Sequence, residues 1–238
     1  MHPPFEQLLE VQSLDTTLAQ LEHTRSEIPA RARKAELEAE LSALEDQVAT
    51  LQAERDEVGR VQKRHEDEVA LVEDRLEKIN GDLYGGTITS PKEAQTLQEE
   101  IASVRRHQAS IEDKVIVQME LAEPLDTQLG ELAAKSEALT TSLGEVEAEL
   151  AQAEAEIDSQ TDAVRTDRGV RAADVPAEDL EAYERVRSEF GSSALVVLEG
   201  SNCKGCPLAM PAMEVDRAKK APADQMHSCE ECGRLVVK

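Results

Sequence analysis

From Leu37 the apolar residues fall at Leu41, Leu44, Val48 and Leu51, alternating steps of four and three. The rhythm weakens around Gly59 and returns at Val72, Leu76, Ile79 and Leu83. Such 4-3 spacing lays one narrow stripe along a helix, the seam of a coiled coil. A second, more regular register starts at Ala94 and runs through Leu97, Ile101, Val104, Ile111, Val115, Ala122, Leu125, Leu129 and Leu132. It continues through Leu139, Leu143, Val146, Leu150, Ala153, Ile157 and Val164, with polar residues only at Gln108, Gln118, Ser136 and Gln160. An earlier stretch (Val11, Leu14, Leu18, Leu21, Ile28) keeps similar spacing in a different register. Pro29 separates it from the first arm and, lacking an amide hydrogen, predicts a kink or break there.

Between the two arms lies NGDLYGGTITSPKEAQ. Asn80-Gly81 predicts the end of the first helix, Gly85-Gly86 a tight reversal, and Ser90-Pro91-Lys92-Glu93 a capping box that restarts the chain as helix. Arms of similar length about a turn favour an antiparallel hairpin within one chain over a parallel dimer of a continuous rod. Pairing about the tip brings Gly144 near Pro29, so the hairpin is expected to bend at that level. Helix two is expected to fade within DSQTDAVRTDRGVRAADVP, after which Pro176 opens a short helix closed by Gly191. Leu180, Tyr183 and Val186 share a face of that helix, and ALVVLEG reads as a strand. The predicted fold class is mainly α: a long antiparallel, kinked coiled-coil hairpin over 1–172, with its tip at about 81–90. A short helix and a small C-terminal four-cysteine zinc ribbon follow over 173–238.

Composition agrees with long helices rather than a thick core. Trp is absent, and Phe5, Tyr84, Tyr183 and Phe190 are the only aromatics. The net charge of -24 repels nucleic acid and anionic membrane over most of the surface. Only the segment from Ser201 onward is near neutral. The N-terminal MHPPFEQLLEVQSLD shows neither the basic nor the apolar region of a signal peptide, and no apolar run reaches membrane-span length. The expectation is a cytoplasmic protein, where paired thiols more often bind metal than form disulfides.

All four cysteines lie near the C-terminus: Cys203 and Cys206, then Cys229 and Cys232, each pair as C-x2-C with 22 residues between. Two thiolates from each of two tight turns can converge on one ion at the tetrahedral angles zinc prefers. Gly205 and Gly233 suit the curl of backbone around the sulfurs. Iron accepts the same four thiolates, and zinc is the favoured ion. Four sulfurs fill the coordination sphere, so one structural Zn2+ is expected and no catalytic residue is assigned. His227 reads as a surface histidine beside this site. GRLVV after Cys232 reads as a return strand. No Ser-His-Asp set, phosphate-cradling loop or paired carboxylates are recognisable, so the chain is expected not to be an enzyme.

The acidic hairpin, the KEAQTLQEEI segment after the tip and the terminal C-K-G-C … C-E-E-C-G-R-L resemble the bacterial C4-type zinc-ribbon proteins with an N-terminal coiled-coil hairpin. The specific parts of the resemblance are the cysteine pairs with Gly205, Gly233 and Arg234, and Lys92-Glu93. It implies a kinked hairpin with a zinc ribbon at its base, and adaptors that bind an alternative sigma factor or secretion and flagellar components; RNA binding has also been proposed for such proteins. Candidate partner-binding residues are Leu83, Tyr84 and Ile88 at the tip, with Thr89 beside them, and Arg217, Lys219, Lys220 and Arg234 in the ribbon. The leading reading is a non-enzymatic adaptor with protein partners and no membrane contact, monomeric or weakly dimeric. The alternative is an RNA- or nucleic-acid-binding regulator acting through the ribbon's basic residues. PLAMPAMEVDRAKKAPAD after Cys206 offers no aromatic or strongly basic platform for stacking bases.

Overall fold

The structure is a computed structural model that describes residues 3–86, 88–200, 202–206, 210–220, 222 and 225–237. Residue 87 of the expected tip, and residues 207–209, 221 and 223–224 between the cysteine pairs, lie outside the described residues. The element order is α1 (Pro3–Ser26), α2 (Pro29–Tyr84), α3 (Pro91–Ala173), α4 (Ala177–Phe190), a 3-10 turn (Gly191–Ser193), β1 (Leu195–Glu199), β2 (Asn202–Cys203), α5 (Ala212–Lys220), β3 (His227–Ser228) and β4 (Leu235–Val237). Two compact units result: residues 1–33 with 146–238, and residues 34–145. The boundaries fall just beyond Pro29 on one arm and just beyond Gly144 on the other.

In the unit of residues 34–145, the outer parts of α2 and α3 run antiparallel. Arg55 Nε donates to Asp126 Oδ1 at 2.7 Å, and Arg75 Nη2 to Glu100 Oε1 at 2.7 Å. Exposed pairs of this kind are screened by solvent, so they mark register more than they supply stability. Stability comes from the seam. Ile79, Ile101 and Val104 are buried near the tip, with Val72, Leu76, Leu83 and Leu97 packed around them. Every apolar residue of the predicted second register is buried or half-buried. The register departs at one point: Gln160 is exposed and Thr161 takes the half-buried place, keeping a 4-3 step from Ile157 to Val164.

The tip corrects one expected boundary. The first arm does not stop at Asn80-Gly81: α2 continues to Tyr84. Asn80 Nδ2 donates to Leu76 O at 2.8 Å, and the Gly85 amide donates to Gly81 O at 2.8 Å, so both residues are held inside the helical ladder. The reversal uses Gly86, whose φ of 80° is open to glycine and strained for other residues. Ala94 N donates to Ser90 O at 3.1 Å, which makes Ser90 the cap position and Pro91 the first helical residue.

In the other unit, α1 pairs antiparallel with the end of α3 through Arg25–Asp158 and Arg171–Glu10, and the first turn of α2 joins them through Arg31–Glu154. Pro29 separates α1 from α2, as the missing amide hydrogen requires, and Ile28, Ala30 and Ile157 close the seam beside it. Helix α3 ends at Ala173, inside the stretch where the sequence predicts its end. Its last turns are held by a pair of charges at seam positions. Asp15 lies four residues past Val11, and Arg168 four past Val164. Arg168 Nε and Nη2 donate to Asp15 Oδ1 and Oδ2 at 2.7 and 3.1 Å, and Tyr183 OH donates to Asp15 Oδ2 at 2.9 Å. Glu184 on α4 accepts from Arg168, and from Arg187 Nε at 2.8 Å. Three helices are thereby tied at one buried carboxylate. The hydrogen bond to Asp15 pushes the Arg168 pKa further up. Burial, and then the same carboxylate, push that of Tyr183 up as well.

Candidate metal centre

The ribbon stands on α1 and α4 through a two-faced sheet, in the order β2-β1-β4-β3. Strands β1 and β4 are parallel, with Leu195 opposite Leu235, Val196 opposite Val236 and Val197 opposite Val237. Side chains alternate across a strand. Leu195, Leu235 and Val237 face the helices and join Phe5, Leu8, Val11, Val175 and Tyr183 in one core. Val196 and Val236 face the other way and pack with Cys203, Cys229, Met210 and Val215. Gln12 of α1 fixes the start of β1, donating to Leu195 O at 2.7 Å and accepting from Leu195 N at 2.6 Å.

Each cysteine pair sits on a strand end. Strand β2 turns back on β1 past Gly200, pairing Leu198 with Cys203, and this presents the first pair. Strands β3 and β4 pair His227 with Val236 and Ser228 with Leu235, and the loop between them carries the second pair. That loop is closed by Cys229 N donating to Arg234 O and Gly233 N donating to Cys229 O, both at 2.8 Å, with Gly233 at φ 76°. The four Sγ atoms lie within 4.8 Å of one another. Cys203 and Cys232, from opposite pairs, are 3.8 Å apart. Sulfurs at the vertices of a zinc tetrahedron with about 2.3 Å bonds would be roughly 3.8 Å apart. That distance is far beyond a disulfide bond, and none of the four cysteines is joined in one. The residues fit one tetrahedral ion, and the site could hold it as a closed sphere of sulfur.

Burial pushes the metal-free Cys203 thiol up to about 12, and burial also raises Cys229. At Cys232 burial works in the same sense, but hydrogen bonds from Arg234 and the neighbouring thiols outweigh it and bring the group down to about 7. Arg234 is therefore part of the centre's electrostatics. Its guanidinium lies 4.6 Å from the Phe190 ring centroid, and Nε donates to Ser193 O at 3.0 Å. Gly205 fits against this pinned side chain. A Cβ there would lie 2.4 Å from Arg234 Cδ and 3.0 Å from Val196 Cγ1. Gly205→Ala is expected to destabilise the ribbon by about 1–3 kcal/mol, the usual cost of overpacking. Hydrogen exchange of the β1 and β4 amides measures this, and the cost should shrink in an Arg234→Ala background. An equal cost in both backgrounds would remove Arg234 from the explanation.

The stretch between the pairs is partly helical. It contains α5, on which Arg217, Lys219 and Lys220 all lie. Arg217 Nη1 reaches Glu230 Oε1 at 3.0 Å and Lys220 Nζ reaches Asp216 Oδ2 at 2.6 Å, so acidic neighbours offset both charges. Sequence reasoning missed Glu214, which is 7% exposed on the first turn of α5 and accepts from Glu230 N at 2.9 Å through Oε1. It fastens α5 to the second cysteine loop. His227 is half-buried on β3 rather than a surface residue, and its Nε2 is buried. At the tip, Tyr84 is 77% exposed, while Leu83 and Ile88 are half-buried and Thr89 is exposed. Leu83 belongs to the packed seam, so Tyr84 is the most accessible of the tip candidates.

Helices paired antiparallel, ending in a small sheet with four clustered thiols, define a coiled-coil hairpin protein with a candidate ribbon metal site. The chain belongs to the CT398-like coiled coil hairpin domain family, whose model matches residues 11–191. An uncharacterized protein of Mycobacterium tuberculosis H37Rv is 29% identical over 231 residues, covering 97% of this chain and 94% of that relative. A solved structure from Mycobacterium smegmatis matches with a TM-score of 0.87 at 24% identity, covering 99% of this chain and 97% of that one. CT398 from Chlamydia trachomatis matches with a TM-score of 0.71 at 18% identity, covering 100% of this chain and 98% of that one. These structural likenesses bear on the fold. Among the described residues, no helix is long and apolar enough to cross a membrane.

Proposed function

We propose that this chain is a non-enzymatic adaptor of a reducing, cytoplasmic compartment, in which one structural Zn2+ shapes a ribbon and the coiled-coil hairpin carries surfaces for protein partners. The observation that carries the reading is the closed set of four thiols within 4.8 Å, which leaves a bound ion no vacant position for water or substrate. The ion would be held by Cys203, Cys206, Cys229 and Cys232, and its contribution would be folding free energy for a segment too small to hold its own core. Partner surfaces fall at Tyr84 on the tip, flanked by Leu83 and Ile88, and at Arg217, Lys219, Lys220 and Arg234 on the ribbon. Following the resemblance, components of transcription (a sigma factor) or of secretion and flagellar machinery are the partners to test first. Nucleic-acid binding through the ribbon is the weaker reading, because Arg217 and Lys220 already face carboxylates.

Affinity purification with crosslinking tests this on the wild type, Tyr84→Ala, and Arg217→Ala combined with Lys219→Ala. Each variant is expected to lose a partner that survives moderate salt. An unchanged partner set in both variants would leave the adaptor reading without its surfaces. A salt-sensitive RNA shift lost only in the ribbon variant would replace that reading with the nucleic-acid one.

A further inference from the structure

Helix α5 buries one side chain that its packing does not call for. Glu214, Val215 and Ala218 form its buried face. Val215 and Ala218 cover the sheet as apolar residues do. Glu214 brings a carboxylate there instead, and its Oε2 is buried with no hydrogen-bond partner among the described residues. Stranding such an oxygen is costly, and an apolar side chain of similar size would avoid the cost. The compensation lies at Oε1, which accepts from Glu230 N at 2.9 Å.

That bond completes the second cysteine loop. Cys229 N donates to Arg234 O, and Gly233 N to Cys229 O. The Glu231 and Cys232 amides are directed at Cys229 Sγ, and the Arg234 amide at Cys232 Sγ. Each amide from Cys229 to Arg234 thus has an acceptor, and only that of Glu230 finds it outside the loop. Glu214 therefore fixes the peptide between Cys229 and Glu230, from which the next two amides turn back on Cys229 Sγ. Four thiolates around one divalent ion leave a net negative charge, so the charge of Glu214 opposes the loaded centre while its geometry serves it. Groups outside the coordination sphere that orient the ligands raise metal affinity. We propose that Glu214 is a positioning residue of the metal centre, which through the Glu230 amide aims the Glu231 and Cys232 amides at Cys229 Sγ and so strengthens metal binding. This role rests on the reading of the four cysteines as a zinc site.

The test uses the full chain, with Zn2+ affinity read by chelator competition at fixed pH and amide exchange read at saturating Zn2+. Glu214→Ala is expected to lose about 10–100-fold in affinity, the usual cost of removing such a group. Its Glu231 and Cys232 amides should exchange faster even when the ion is bound. Glu214→Gln keeps an oxygen for the Glu230 amide and drops the charge, so it should stay within about threefold of wild type with both amides protected. Val215→Ala loosens α5 without touching the bond, and should leave both amides protected once the ion is bound. A Gln variant as weak as the Ala variant would mean that charge acts rather than position, and would overturn the proposal. So would faster exchange of the same two amides in Val215→Ala, which would make packing of α5 sufficient. Wild-type affinity in Glu214→Ala would sink this role alone, whereas a wild type that takes up no zinc would sink the reading of the cysteines beneath it.

Discussion

Serine at Cys229 is expected to dissolve the metal-facing half of the ribbon while α1 to α3 stand. Structural zinc sites contribute about 10–16 kcal/mol of apparent binding free energy, so one ligand in four accounts for roughly 3 kcal/mol, a hundredfold or more in affinity. Val196, Val236, Met210 and Val215 pack on the cysteines, so α5 and both cysteine loops should lose hydrogen-exchange protection together. Leu195, Leu235 and Val237 pack on Phe5 and Leu8 instead, so the helix-facing side of β1 and β4 should retain more protection. Chelation of the wild type should reproduce the pattern. Acid should do so too, because thiols raised like Cys203 and Cys229 are protonated at neutral pH and must lose those protons to bind. With these two protons released, and that of Cys232 as well once the pH falls below about 7, affinity drops at least about a hundredfold per pH unit on acidification. Persistent protection of α5 without metal, or loss of the long helices with it, would break the argument.

The division of labour within the ribbon explains what the sequence disclosed and what it hid. The arms were legible because a seam repeats: Ile101, Val104 and Ile111 each reinforce one period, and a single exception such as Gln160 does not disturb it. The cysteines were legible because their spacing is constrained by one ion. Helix α5 was not, since its nine residues offer too few turns for a period. Its signal lay instead in charge order, with Glu214 in the first turn and Arg217, Lys219 and Lys220 in the last, as a helix dipole favours. The α2 terminus was misplaced because Asn80-Gly81 looks like a stop locally, while packing of Leu83 on Ile79 and Ile101 extends the helix past it. Asp15 and Arg168 were hidden for the opposite reason. Reading seams through apolar residues alone passes over two charges that complete each other only when α1 and α3 are side by side.

Asp15→Ala is accordingly expected to cost about 3–5 kcal/mol, the range for removing one partner of a buried ion pair. Asp15 is 6% exposed, and its loss strands the Arg168 guanidinium and the Tyr183 hydroxyl together. The loss should be read from exchange protection in α4 and β1, with the outer hairpin amides of residues 34–145 unchanged. Tyr183→Phe removes only the hydroxyl and should cost about 1.5–3 kcal/mol, as for a hydrogen bond to a charged group. The two variants separate by pH. The folded Tyr183 pKa is raised, so its contribution is fully present below the unfolded value near 10 and is lost as pH rises above it. The stability gap between wild type and Tyr183→Phe should therefore narrow above about pH 10. Glu184 has the opposite sign: burial opposes its charge, but hydrogen bonds from Arg168 and Arg187 prevail and lower its pKa. Its contribution is present above the ordinary glutamate value of about 4.5 and is lost on acidification below it. A gap that stays constant through alkaline pH would mean that the Tyr183 hydroxyl is not held by Asp15, and that α4 docks through its apolar face alone.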